Sequence, residues 1–471
     1  MNGYNRFNNQ VVALDVATTK ELAEVAVTRE PIAMAISNDG NTLAAANLLP
    51  LARGTDFEMR GELALIDTKT YQSEKVLLSE GSQSLRGVCI TPDDRYALIV
   101  HVQSNFELVA SHVDPGWTNT AALSAVDLVT RKHIGTVLLD DIHAAAANPW
   151  AIEISADGKW LCVSHSGTHE VSIVKLAPLL NELKRGPQDR GPMSDASFLV
   201  PIRRRIPTGG KGPRGMAMHD GHLFVANYFD DSVTRIDLND GSTTKIRLGN
   251  PGEPNLIRQG EIAFHDASLC YRSWQSCASC HPDARADGLS WDLLNDGTGN
   301  LKNTKSMLLA HRTPPAMTMG VRDSAETAVR SGIKHILRVD VDEQVARSID
   351  AYLKSLEPVP SPHLVDGRLS ESAQRGKRLF HSQELGCANC HPTDLFADLK
   401  RHSMPTFGGE RLRIDTPTLI ECWRTAPYMH DGRYLTIREL LEEGRHGLNR
   451  PGTENLTDQQ LTDLVEYVLS L

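Results

Sequence analysis

Two pentapeptides of this chain repeat one pattern of thiols and imidazole: Cys277-Ala-Ser-Cys280-His281 and Cys387-Ala-Asn-Cys390-His391. Residues at positions i, i+3 and i+4 lie on one face of a helical turn, so the three reactive side chains of each motif converge. CxxCH is the attachment signature of c-type haem, in which both thiols bond to the porphyrin and the histidine binds iron. The sequence therefore predicts two covalently bound haem c groups, with His281 and His391 as iron ligands.

A zinc ribbon is the alternative interpretation of two CxxC pairs. In zinc ribbons the pairs stand about 15 to 20 residues apart, whereas 110 residues separate Cys277 from Cys387. A histidine also follows each pair directly. Both observations favour haem over zinc.

Length and charge narrow the class of protein. A chain of 471 residues is too long for one core and indicates several domains. Its 49 basic and 59 acidic residues give a net charge of −10 without a basic block, which argues against nucleic acid and favours a small cationic redox protein as partner. No apolar run is long enough for a transmembrane helix.

Haem c attachment normally takes place outside the cytoplasm. The first residues, Met1-Asn-Gly-Tyr-Asn, lack the basic start and apolar stretch of a signal peptide. We therefore expect a periplasmic or otherwise extracytoplasmic protein whose signal peptide is absent from this chain.

Residues 1–245 repeat a strand pattern. Apolar strands ending in Asp recur every 48 to 62 residues, as in Leu63-Ala-Leu-Ile-Asp67 and Leu123-Ser-Ala-Val-Asp127, and Asp-Gly turns such as Asp39-Gly40 separate other strand pairs. Asp-Gly is a strong hairpin signal because glycine accepts a positive φ. Strand-rich units at this period predict a β-propeller. The units resemble seven-bladed YVTN propellers, although the sequence leaves the blade number open.

The remaining histidines and cysteines of the chain give weaker signals. We expect three histidines to lie in loops, where they are either ligands or ordinary polar residues: His101, His165 and His169. Strand-like runs surround Cys89 and Cys162, which indicates core thiols. Two further cysteines could form a disulfide, but the sequence does not establish their geometry: Cys270 and Cys422.

From about residue 250 the pattern becomes helical and appears twice. Gly260-Glu-Ile-Ala-Phe-His265 and Gly376-Lys-Arg-Leu-Phe-His381 each precede a CxxCH motif, and each unit ends in an amphipathic helix. The fold class that we predict is a multidomain chain, an all-β propeller followed by two all-α cytochrome c-like domains. The predicted domains are 1–245, 246–362 with the reactive haem and 363–471 with the electron-transfer haem.

Residues 255–471 resemble the bacterial diheme cytochrome c peroxidase family, which includes the enzyme that matures the tryptophan-derived cofactor of methylamine dehydrogenase. The resemblance rests on Asp415-Thr-Pro-Thr-Leu419, Thr425-Ala-Pro-Tyr-Met-His-Asp-Gly432 and Leu435-Thr-Ile-Arg-Glu-Leu440. It implies one high-spin haem that meets peroxide and a six-coordinate haem that relays electrons. The bridging tryptophan of the family has no clear counterpart here.

The resemblance also implies residues at the first haem. Glu326 matches the spacing of the family's catalytic glutamate, which would move a proton between the two peroxide oxygens; its alternative is a solvated helix charge. The family's distal glutamine falls on Ala316, and its loop histidine falls near Gly297, so neither function is retained. His311 is the nearby candidate for a distal base or an iron ligand, or else it bonds backbone in a proline-rich loop.

At the second haem the family's distal methionine falls on Gly444, so another residue must take its place. His446 is the leading candidate, with Met404 and Met429 as alternatives. A bis-histidine haem would have a lower potential than a His/Met haem. The resemblance also implies a calcium ion between the haems, at Asn303 and Asp415–Pro417.

The function that follows from these signals is a diheme oxidoreductase that reduces hydrogen peroxide, or uses it to oxidise a partner. A small redox protein would supply electrons through the His391 haem, and the propeller would provide a docking face or subunit contact. The alternative is a non-catalytic electron carrier or haem sensor in which both irons are six-coordinate. A third possibility, an active propeller, lacks a dense His/Asp/Glu cluster in residues 1–245.

Overall fold

A computed structural model describes residues 2–56, 58–108, 117–184, 196–249, 252–293, 299, 301–392, 394–406, 409–448 and 456–471. Strands occupy its first half and helices predominate in its second. Gly297, where the family's loop histidine would fall, lies outside the described residues.

The described residues up to Arg247 form five antiparallel sheets, in which the strands follow one another in chain order. Sheet 1 has three strands, and sheets 2 and 3 have four each: β1 Asn2–Asn5, β2 Gln10–Leu14, β3 Glu21–Ala26; β4 Pro31–Ile36, β5 Thr42–Asn47, β6 Arg60–Asp67, β7 Ser73–Glu80; β8 Ser82–Ile90, β9 Tyr96–Ser104, β10 Asn119–Asp127, β11 Lys132–Leu138. Helix α1 (Leu176–Leu183) interrupts sheet 4, and sheets 4 and 5 comprise the following strands: β12 Pro149–Ile154, β13 Trp160–His165, β14 Glu170–Lys175, β15 Arg203–Pro207; β16 Pro213–His219, β17 His222–Asn227, β18 Ser232–Asp237, β19 Thr243–Arg247.

Successive sheets pack face to face. The first strands β4, β8, β12 and β16 contact one another in that order, and a separate apolar cluster fills each space between neighbouring sheets. Strand β9 is buried along its whole length because both of its faces meet other sheets. This radial stacking confirms the prediction of a propeller-like first half.

Two details of this half can be compared with the sequence. Gly40 and Gly158 have φ values of +72° and +68° in the predicted Asp-Gly turns, as such hairpins require. The placement of His101 and His165 in loops was wrong. They lie buried within β9 and β13, where each Nε2 is 2.8 Å from a serine hydroxyl, so one ring nitrogen of each imidazole has a polar partner in the sheet interior.

The second half contains seven helices among the described residues: α2 Leu256–His265, α3 Cys277–Cys280, α4 Ala325–His335, α5 Glu343–Lys354, α6 Glu371–Phe380, α7 Ile437–Glu442 and α8 Asp458–Leu469. Helix α2 packs on α5, and α6 packs on α8. Glycine makes both crossings possible. A Cβ on Gly260 would lie 1.8 Å from the Ser348 carbonyl oxygen, and one on Gly376 would lie 1.8 Å from that of Asp463.

The helical half also contains two hairpins that the all-α prediction missed. Strands β20 (Ser290–Trp291) and β21 (Lys302–Asn303) form a short one, and β22 (Arg401–Pro405) pairs with β23 (Arg411–Asp415) in a longer one. Their physical basis is visible in Arg411-Leu-Arg-Ile-Asp415, which alternates charged and apolar residues with the period of a strand.

Candidate haem sites

The first CxxCH motif forms the single helical turn α3. Ser276 and Ser279 cap it reciprocally, and His281 follows the last turn residue. The Nδ1–H group of His281 donates to the carbonyl oxygen of Arg285 at 3.0 Å. Burial lowers the pKa of His281, which favours the neutral ring. Its Nε2 is thereby left with a lone pair, as an iron ligand requires.

The second motif has the same arrangement. The Nδ1–H group of His391 donates to the carbonyl oxygen of Phe396 at 2.7 Å, and burial lowers the pKa of this ring too. All eight cysteines of the chain are free of disulfides, so the motif thiols are available for attachment. Cys270 and Cys422 therefore do not pair. The donor set at both motifs fits haem c.

The structure brings His446 near His391. Burial is the main cause that lowers the pKa of His446 to about 4, and an electrostatic interaction with nearby His391 is the smaller part of that shift. The two rings belong to segments 55 residues apart in the chain, so only the tertiary fold places them together. A neutral imidazole near His391 fits the prediction of a second axial ligand.

The sheets hold the first motif directly. Gln83 of β8 donates to the Ser279 carbonyl oxygen at 2.9 Å, and the Nδ2 atom of Asn119, at the start of β10, lies 3.2 Å from Cys280 Sγ. Asn148, just before β12, donates to Ser276 Oγ at 2.8 Å and accepts from the Ser279 hydroxyl at 2.7 Å. The propeller-like half is therefore a wall of the first haem site.

Buried ion pairs join the halves elsewhere. Glu30, before β4, lies 2.9 Å from Arg424. Within the helical half, Arg285 forms a bidentate pair with Glu421, with distances of 2.7 and 2.8 Å. Arg285 is also the residue whose carbonyl oxygen accepts from His281. The segment beside the first motif is thus fixed to the segment that precedes Thr425.

His311 lies in a buried pair with a carboxylate. Its Nε2 is 3.0 Å from Asp350 Oδ1 on α5, and Arg330 holds the other Asp350 oxygen at 2.7 Å. Because a carboxylate only accepts, Nε2 carries the proton and Nδ1 retains a lone pair. That Nδ1 is buried without a hydrogen-bond partner among the described residues. His311 could therefore accept a proton or bind a metal through Nδ1.

Glu326 lies in the first turn of α4, and its side chain is 39% exposed. Lys354 is 2.7 Å away. The hydrogen bond from Lys354 lowers the pKa of Glu326 to about 2. The carboxylate is therefore ionised at neutral pH and bound to a surface lysine. Ala316, by contrast, is buried and apolar.

The two methionine alternatives occupy different environments. Met404 lies on β22 opposite Leu412, and Met429 lies in the Thr425–Gly432 segment with a φ of +74°.

His402, two residues before Met404 on β22, bonds the Asp398 carboxylate at 2.8 Å. Three ligand atoms lie within 4.8 Å of one another here, one each from Cys390, Asp398 and His402. Hairpin β22–β23 therefore covers the second attachment site.

The residues predicted to hold calcium make other contacts. Lys305 Nζ lies 2.6 Å from Asp415 Oδ2, and Asn303 Nδ2 donates to the Pro427 carbonyl oxygen. The Asp415 carboxylate is thus neutralised by an ammonium group, which a calcium ion would have to displace. Asn303 Oδ1 and Asp415 Oδ1 are buried without partners among the described residues. With these partners in place, the residues do not fit a calcium ion.

Several side chains that sequence reasoning did not single out belong to these sites. Asp350 orients His311, and Asn119 contacts Cys280. Trp291 packs in the same apolar cluster as Cys280 and donates from Nε1 to Asp287 at 2.9 Å. Trp291 and Asp287 lie ten and six residues after His281, and nothing in that spacing marks them as a pair.

Comparison with known proteins identifies a cytochrome c domain in the second half of the chain. Residues 373–471 match the family model described as cytochrome c. Residues 373–471 are a cytochrome c domain. The prediction of covalent haem c is confirmed for this part of the chain.

Two curated relatives extend the similarity. Hydrazine synthase subunit gamma of Kuenenia stuttgartiensis is 27% identical over 279 residues, which cover 47% of this chain and 79% of that protein. Methylamine utilization protein MauG of Methylorubrum extorquens is 24% identical over 288 residues, which cover 47% and 79%. The chain is therefore a c-type haem protein related to these two.

A solved structure of Kuenenia stuttgartiensis hydrazine synthase is 27% identical, covering 47% of this chain and 88% of that chain, with a TM-score of 0.42. Among the described residues, no helix combines the length and the apolar character needed to cross a bilayer.

Proposed function

We propose that this chain is a diheme redox enzyme that reduces hydrogen peroxide, or uses it to oxidise a partner, at the haem of Cys277, Cys280 and His281. The haem of Cys387, Cys390 and His391 would relay electrons from a small redox protein, with His446 as its second axial ligand. The proposed domains are 1–245, 246–362 and 363–471. The proposed location is the periplasm or another extracytoplasmic compartment, where haem c is attached.

The observation that carries this proposal is the His311–Asp350 pair. Peroxide reduction consumes two protons and two electrons and yields two waters, so the site needs a group that moves a proton. Asp350 keeps the proton of His311 on Nε2 and directs the Nδ1 lone pair into the interior. A general base of this kind contributes a factor of about 10²–10⁴ to a rate.

The other residues of the first site orient the His281 ring, fix the turn that carries it, or supply charge near His311. The Arg285 carbonyl oxygen holds the His281 ring in one orientation, and Asn119, Asn148 and Gln83 fix the turn that presents it. The bound haem would supply the iron at which peroxide binds. Glu326, ionised and beside Lys354, supplies negative charge near His311 and is the second proton-transfer candidate.

A non-catalytic electron carrier or sensor is the second candidate function. The buried, apolar Ala316 offers no hydrogen bond to a bound oxygen ligand, and the free Nδ1 of His311 has the chemistry of an iron ligand. In that case both irons would be six-coordinate and inert to peroxide.

Visible and electron paramagnetic resonance spectra of the holoprotein separate the two functions. A high-spin ferric signal that changes rapidly on adding peroxide is expected for the enzyme, whereas wholly low-spin signals that peroxide leaves unchanged would contradict it. We expect His311→Gln and Asp350→Asn to lower peroxide turnover by about 10²-fold or more, with haem content retained. Glu326→Gln is the comparison. A fall in turnover for Glu326→Gln alone would assign the proton transfer to the glutamate.

A further inference from the structure

The hairpin β22–β23 presents a basic face above the second haem site. Its strands alternate between exposed and covered side chains. His402, Met404, Leu412 and Ile414 lie on the covered face. The exposed face carries three arginines, with a lysine at its base: Arg401, Arg411, Arg413 and Lys400.

No carboxylate within 4.0 Å neutralises these arginines in the part of the chain that the structure describes. Their guanidinium groups bond neutral oxygens instead: Arg401 bonds the Met319 carbonyl at 3.1 Å, Arg411 bonds the Ser403 hydroxyl at 3.0 Å, and Arg413 bonds the Arg401 carbonyl at 3.2 Å. Three carboxylates in the neighbourhood already have other partners: Asp398 bonds His402, Asp415 pairs with Lys305, and Asp431 pairs with Arg433.

The local charge of the hairpin therefore differs in sign from that of the chain. The exposed face holds four positive groups, and Glu410, in the connection between the two strands, is an exposed negative group beside them. The net charge of −10 is spread over 471 residues. Because exposed charges are screened beyond about 8–10 Å at physiological ionic strength, an approaching molecule experiences the four cations before the distant acidic surface.

The covered face of the same hairpin reaches the second haem site. His402, on that face, belongs with Cys390 Sγ and an Asp398 oxygen to a group of atoms within 4.8 Å of one another. A molecule bound on the exposed face is thus separated from the Cys390 attachment point by the thickness of a single two-stranded ribbon. An electron would therefore travel only a short distance between that molecule and the second haem.

We propose that the face formed by Lys400, Arg401, Arg411 and Arg413 docks an acidic electron-transfer protein. The inference rests on the proposed function, because it assigns the partner surface of the relay haem. One electron would pass between the docked partner and the bound haem; the donor would be oxidised by one electron, the acceptor reduced by one, and no bond would form or break. Complementary charge steers such encounters and raises association rates by 10- to 10³-fold at low salt.

This partner is opposite in charge to the cationic donor that net charge favoured. The reason is that net charge describes the whole surface, whereas docking depends on the few charges around the haem.

Stopped-flow oxidation of the reduced holoprotein, without peroxide, tests the proposal, because a low-potential haem gives electrons to proteins of higher potential and the same face would be used in either direction. The probes are oxidised plastocyanin, an acidic protein, and oxidised mitochondrial cytochrome c, a basic one, at about 10 and 200 mM salt. We expect the reaction with plastocyanin to be the faster at low salt and to slow steeply as salt is added. The triple variant of Arg401, Arg411 and Arg413 to Gln should react about 10-fold more slowly with plastocyanin at low salt and equally at high salt.

The matched control removes the same three charges elsewhere. Lys132, Arg235 and Arg247 are exposed on sheets 3 and 5, and their triple change to Gln alters net charge identically. The proposal would be overturned if the control variant lost as much of the rate with plastocyanin as the Arg variant. A faster reaction with cytochrome c than with plastocyanin at low salt would also overturn it. Loss of binding to anionic lipid vesicles with an unchanged plastocyanin rate would instead assign a membrane-contact face. Because peroxide is absent, failure of the peroxidase proposal would not affect this result.

Discussion

At the scale of single residues, function depends on which atom of a side chain is left free. His281 and His391 donate from Nδ1 to backbone carbonyls and keep Nε2 for iron, whereas His311 donates from Nε2 and keeps Nδ1. The partner of the other nitrogen decides the tautomer in each case. Three histidines of one type therefore have two different chemical capacities.

The ionisation of Asp463 makes the free energy of unfolding depend on pH. It bonds Arg375 through both oxygens at 2.7 Å and accepts from Ser372 at 2.7 Å, and the hydrogen bond from Arg375 lowers its pKa. A depressed folded-state pKa stabilises the fold above the unfolded-state pKa of about 4, and that stabilisation disappears as pH falls further. We expect Asp463→Asn to reduce the free energy of unfolding by about 1–3 kcal/mol at pH 7.

The measurement is urea unfolding of both proteins from pH 7 to pH 3. The difference between them should narrow below pH of about 4. A difference that stays constant across this range would show that ionisation of Asp463 is not its source.

At the scale of elements, glycine controls how closely the helices of each haem unit approach. Gly260 lets α2 cross α5, and Gly376 lets α6 cross α8. An aromatic pair lies beside each crossing: Phe264 with Tyr352 at 5.4 Å, and Phe380 with Tyr467 at 5.3 Å. The two units thus share one packing solution, which explains why their sequences repeat.

Gly376→Ala should separate α6 from α8. The added Cβ would meet the Asp463 carbonyl oxygen at 1.8 Å, and backbone cannot turn aside as a side chain can. We expect a loss of about 1–3 kcal/mol in the free energy of unfolding. Gly332→Ala in α4 is the control. It has open space within 4 Å and should be neutral or stabilising by about 0.5–1 kcal/mol. Equal effects of the two changes would show that the close approach is unimportant.

At the scale of the whole molecule, the sheets and the haem units form one structure. Residues of sheets 3 and 4 hold the turn α3, and Glu30 binds Arg424 of the second unit. The prediction that the propeller supplies a docking face or a subunit contact stays a prediction. Its demonstrated contact is with the first haem motif, and the proposed docking face lies on hairpin β22–β23.

Glu421 tests the coupling between the two haem units, because its pair with Arg285 joins the segment beside the first motif to the segment that precedes Thr425. It is fully buried, pairs with Arg285 through both oxygens and accepts from the Val359 amide at 2.6 Å. Glu421→Gln leaves the Arg285 charge buried without its partner, so we expect a loss of about 3–5 kcal/mol and a shift in the Soret band of the first haem. Glu74→Gln removes an exposed partner of Arg131 and should change stability by less than about 0.5 kcal/mol. Similar small effects of both changes would contradict the coupling.

The sequence by itself determined the features that depend on short spacing: two CxxCH motifs, Asp-Gly hairpins and amphipathic helices near 342–356 and 457–471. These are local because a helical turn or a tight hairpin is specified by neighbouring residues. The tertiary structure alone decided which distant side chains meet. Asp350 reaches His311, Asn119 reaches Cys280, Lys305 reaches Asp415, and His446 comes near His391. Such meetings depend on how whole elements pack, and residue spacing does not encode that packing.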